Sequence, residues 1–99
     1  MKLIQRLSDM IEEEIEDAWK YARCYQSYRE SDAELAKTFS MLSNAELTHV
    51  DMLHAQVVRL IEDYRRKNGE PPENMKAIYN YLHERHIEKV NDVRYILQH

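Results

Sequence analysis

The chain has 99 residues and a formal charge of -4, with charged residues at 32% and hydrophobic residues at 43%. That length favours one domain with a modest core, to which burial in an oligomer would add. The interspersed charges exclude both a disordered chain and a basic nucleic-acid footprint, and no apolar run approaches the ~20 residues that span a bilayer.

Gly69 is the only glycine, and the two prolines are adjacent, at Pro71 and Pro72. Two long stretches are left nearly free of breakers, which suits long helices and disfavours a sheet with many turns. Cys24 stands alone and can form no internal disulfide, so a reducing, cytoplasmic setting is expected. Acidic residues follow soon after Met10, so the N-terminus lacks a signal-peptide pattern.

Helix 1 is predicted over about residues 2–28. Ile4, Leu7, Ile11, Ile15, Ala18, Ala22 and Tyr25 recur at spacings of three and four. A break is expected near Arg29–Asp32, where Ser31 and Glu34 have the spacing of a capping box.

Helix 2 is predicted over about residues 32–67, with Leu35, Phe39, Leu42, Leu53, Val57, Leu60 and Tyr64 as its main stripe. Arg65, Arg66 and Lys67 read as cations offsetting the helix dipole at its C-terminus. Asn68-Gly69 is the stop signal, and Glu70-Pro71-Pro72 a stiff linker. Helix 3 is predicted over about residues 73–98, with Met75, Ile78, Leu82, Val90, Val93 and Leu97 on its apolar side. The short break between the first two helices favours an antiparallel hairpin.

The informative residues are polar ones inside these stripes. At ~100° per position, Glu14 falls among Leu7, Ile11 and Ala18, whereas Glu12, Glu13 and Glu16 point away. Glu46 and His49 fall among Leu35, Leu42, Leu53 and Leu60. A carboxylate on a packing face is costly unless it is neutralised or hydrogen-bonded. Glu14 and Glu46 are also about equally far from the bend, so the three side chains are expected to converge.

Glu46-Leu47-Thr48-His49 is Glu-x-x-His, which sets a carboxylate and an imidazole one turn apart. Such ligands suit iron, manganese or zinc. The motif alone is weak, and its weight here comes from the stripe and from the height-matched Glu14. Asp51-Met52-Leu53-His54 has similar chemistry, but it projects nearly opposite the stripe and reads as solvated surface. The plainer reading of Glu14, Glu46 and His49 is a hydrogen-bonded or ion-paired cluster that fixes bundle register.

At these three residues the chain resembles the ferritin-like superfamily, in its rubrerythrin-like branch. Its members carry a Glu on one helix and Glu-x-x-His on the next, and repeat the set on a second helix pair to bind two metals. One hairpin here supplies half that set. Glu84, Glu88 and Asp92 of helix 3 point away from its apolar face and do not complete it. Two copies would supply four Glu and two His.

The nearest resemblance in form is therefore to the encapsulated ferritins, short chains that build a di-iron ferroxidase centre at a subunit interface. The resemblance implies an all-α fold over residues 1–99: a long hairpin plus a third helix, forming a ferritin-like four-helix bundle by dimerisation. It implies shared iron, with manganese or zinc as alternatives, held by Glu14, Glu46 and His49. The implied partners are a second copy and an encapsulin shell. Tyr95-Ile96-Leu97-Gln98-His99 does not look like a shell-docking tag, and helix 3 is longer than that family's form leads one to expect.

The leading expectation is a di-iron protein oxidising Fe(II) with dioxygen or peroxide. The alternative is a non-catalytic helical assembly or interaction protein with a structural metal or none. A DNA-binding module has no basic face to support it. His83-x-x-His86 on helix 3 reads as packed histidines, with a second metal site as the sharper alternative. Tyr21, Tyr25 and Tyr28, together with Trp19, Met41 and Met52, read as core and interface packing.

Overall fold

The computed structural model describes residues 2–99. They form three α-helices, α1 (Lys2–Tyr28), α2 (Ala33–Asn68) and α3 (Glu73–Gln98). The molecule is a rod 56 Å long and 18 Å across, which matches the 36 residues of α2 at ~1.5 Å each. α1 and α3 have the predicted bounds, and α2 is displaced by one residue at each end.

The turn between α1 and α2 corrects one expectation. Asp32, not Ser31, caps α2, its carboxylate accepting from the Leu35 N–H at 3.1 Å. Ser31 sits two residues before α2, where its N–H bonds the Tyr28 carbonyl. Asp32→Ala is expected to cost about 1 kcal/mol in chemical denaturation, the usual worth of such a cap. At the far end the Gly69 N–H bonds the Arg65 carbonyl at 2.9 Å, and Gly69 has φ +77°, where a side chain would strain the backbone.

α1 and α2 make the main contact, and α3 returns mainly along α1. Arg29 in the first turn donates to the carbonyl of His99, so the end of α3 lies beside that turn. The core has two parts. Toward the open end, Ile11 and Ile15 meet Val50 and Val57, with Ile4, Leu7, Leu53, Ile61, Tyr79 and Val90 around them. Toward the turn, Ala18 and Ala22 meet Leu47 and Val93. There the small residues Ala18, Ala22, Ala36 and Ser43 let the helices approach, and the buried Ser43 hydroxyl donates across to the Ala18 carbonyl at 2.7 Å.

The predicted stripe of α1 is the buried one. On α2 the buried line is rotated to Leu47, Val50 and Val57, and Leu42 is exposed. On α3 Ile78 is exposed and Tyr79 packs in its place. The α2 shift follows from contact on two flanks: its buried line lies between the side that faces α1 and the edge where Leu47 meets Val93 and His54 meets His83. Among the described residues, no helix is long and apolar enough to cross a membrane.

Candidate metal centre

The hairpin brings Glu14, Glu46 and His49 together, with one ligand atom from each lying within 4.8 Å of the others. His49 Nδ1 is 3.5 Å from Glu14 Oε2 and 3.4 Å from Glu46 Oε2. Glu46 and His49 are three apart and therefore share a helix face, while Glu14 reaches across from α1. The side chain of Glu46 is 18% exposed and that of Glu14 30%. That of His49 is 50% exposed, so within one chain it lies at the rim of the apolar arc rather than inside it.

Glu46 Oε2 is buried and accepts no hydrogen bond. His49 Nδ1 stands close, but not in a geometry that donates to it. An ionised oxygen buried without a donor costs about 1–3 kcal/mol or more. The site is therefore short of positive charge or a proton donor at one defined atom. A cation held by carboxylate oxygens and an imidazole nitrogen would meet that need, so the donor set fits a first-row metal.

α3 lies on the other side of α1 from this cluster. Glu12, two positions and ~200° around from Glu14, is held by Lys89 at 2.7 Å and approached by Arg85 at 3.6 Å, both on α3. The hydrogen bond from Lys89 holds the Glu12 carboxyl below the usual glutamate range. Glu84, Glu88 and Asp92 are exposed on α3, as the sequence implies, and none joins the cluster.

Among the described residues, no helix thus lies over the side of the hairpin bearing Glu14 and His49. Leu3, Met10, Tyr28 and Leu42 are exposed large apolar residues at the spacings that place them on this side. Tyr21 and Tyr28 stack on Phe39, with ring centroids 6.3 and 6.1 Å apart. They pack the turn end of the face and stay out of the cluster. Trp19 is half-exposed with the Arg23 guanidinium over its ring at 5.3 Å, and Met41 and Met52 are exposed.

His54 overturns an expectation. It is partly buried rather than solvated, and its Nε2 lies 3.0 Å from His83 Nδ1 of α3. Asp51 is exposed as expected. The missed signal is a second apolar series on α2, Leu47, Val50, Val57 and Ile61, whose alternation of three and four has its vacant step at His54.

Comparison with protein-family models, with curated proteins and with solved structures gives no match.

Proposed function

We propose that this chain is a di-iron carboxylate protein of ferroxidase type, with two hairpins pooling Glu14, Glu46 and His49 around two iron ions. The observation that carries the reading is the convergence of the three side chains on the uncovered side of the hairpin. Half a six-ligand set at the rim of a chain is completed by a second copy of the same face. The exposed apolar residues around it supply area for that contact. This architecture is a ferritin-like four-helix bundle made by dimerisation.

In this reading Glu14 and Glu46 would hold the ions as carboxylate ligands, and His49 would hold them as an imidazole ligand. Burial of His49 in the dimer would remove its present exposure and fix its ring. Two Fe(II) ions, as substrate, give two electrons to dioxygen, which takes two protons and leaves as hydrogen peroxide. The carboxylates offset the charge gained on oxidation, and their freedom to change denticity suits them to both oxidation states.

A second reading has one specific observation in its favour. His49 touches both carboxylates, so as an imidazolium it would neutralise the pair without a metal. The protein would then be a helical assembly or interaction protein. Iron-dependent oxygen consumption by the purified chain separates the two, being expected for the first reading and absent for the second. Assembly is tested separately by light scattering. Met10→Arg with Leu42→Arg is expected to shift the iron-loaded protein from dimer or larger to monomer with unchanged helix content. A wild-type chain that stays monomeric with iron bound would remove the shared-site proposal.

A further inference from the structure

A second group of metal-binding side chains lies on the other flank of α2, under α3. His54 Nε2 and His83 Nδ1 are 3.0 Å apart, and their rings stack with centroids 4.7 Å apart and planes 17° from parallel. His86, one turn beyond His83, is 8% exposed, and its Nε2 is buried without a hydrogen-bond partner. Asp51, one turn before His54, lines the same cleft of about 160 Å³ as the three histidines. An Asp-x-x-His pair on α2 therefore faces a His-x-x-His pair on α3.

We infer that Asp51, His54, His83 and His86 form a four-ligand site for a zinc-class divalent ion, distinct from the Glu14 cluster, which ties α3 to α2. Several observations support it. Two nitrogens on a tetrahedral zinc with bonds of ~2.0–2.1 Å stand about 3.3 Å apart. The His54–His83 pair is already near that separation, with a proton where the ion would go. His86 Nε2 is an imidazole nitrogen withdrawn from water with nothing to bind, which is unusual unless a ligand is absent.

Of the cations nearby, Lys89 is tied to Glu12, and Arg94, which lines the cleft, is exposed. The location also suits a fastener, because α3 packs on α1 more than on α2. The ligand atoms of Asp51 and His86 line the cleft but do not yet lie within 4.8 Å of both nitrogens of the pair, so those side chains would turn inward on binding.

The test uses the full chain carrying Glu46→Ala and His49→Ala, so that the first cluster is silent and the two sites succeed or fail independently. Calorimetric titration with zinc is expected to give one ion per chain. His54→Gln and His83→Gln are each expected to weaken that binding at least ~10-fold, since a lost ligand costs no less than a lost supporting contact. His99→Gln, in the terminal residue, is expected to leave it unchanged.

A second measurement needs no histidine substitution beyond His49. On adding zinc, the ring nitrogen signals of His54, His83 and His86 are expected to shift together in NMR spectra. Absence of zinc uptake, uptake indifferent to either His54→Gln or His83→Gln, or ring signals that do not move would overturn the assignment.

Discussion

Glu46→Ala is expected to remove iron from the protein. Loaded anaerobically with Fe(II), the wild-type chain should hold one iron per subunit, two per pair of hairpins, and consume oxygen when air is admitted. In Glu46→Ala both should fall to background, a loss of more than ~100-fold if a carboxylate ligand matters more than a supporting contact. The reason lies in the position of the residue. Glu46 is the least exposed of the three clustered side chains and carries the buried oxygen that has no donor.

The same variant separates a metal site from a register-fixing ion pair. If the cluster exists for a metal, the iron-free protein keeps an uncompensated buried oxygen. Its removal should then raise stability of the apo form, by roughly 1 kcal/mol or more. If the cluster exists to hold the helices in register, the variant should be less stable without iron. Denaturant titration of the iron-free wild type and variant reads that sign directly. Iron uptake by Glu46→Ala equal to wild type would end the functional proposal.

Ile15→Ala should produce the largest loss of stability. Ile15 is 2% exposed and packs with Ile11, Val50 and Val57, the part of the core that joins α1 to α2 just beside Glu14. Large-to-small changes at such sites cost ~2–5 kcal/mol, because the lost transfer energy adds to that of the remaining cavity. For a domain of this size the melting midpoint should drop by roughly 10–30 °C in a thermal circular dichroism scan. Lys37→Ala, on the exposed face of α2, should change stability by no more than about 0.5 kcal/mol.

The second effect of Ile15→Ala follows from the fold. Glu14 is the adjacent residue, and its reach to His49 depends on the spacing between the two helices. Loss of the neighbouring core contact should therefore weaken iron binding even where the variant remains folded. A variant that melts far lower yet binds iron with wild-type affinity would show that the cluster is held by the second copy rather than by the hairpin core.

Local chemistry alone determined much of this protein. The near absence of glycine and proline, the three-and-four spacing of Ile4 through Tyr25, and the Asn68-Gly69-Glu70-Pro71-Pro72 run specify three helices and their ends, because helix propensity and chain breaks act over a few residues. Glu14, Glu46 and His49 were legible for a related reason: each departs from a regular apolar pattern, and equal distance from one turn sets their heights. The capping residue was less legible, since Ser31 and Asp32 both suit the role and only the folded turn shows which of them reaches the Leu35 N–H. Which flanks of α2 are covered was decided by tertiary structure. The placement of α3 buries Leu47 and draws His54 onto His83, and it leaves Leu42 and His49 open. Packing between helices distant in the chain depends on the summed fit of whole faces, and a single helix's periodicity does not encode which of its two apolar edges a third helix will cover.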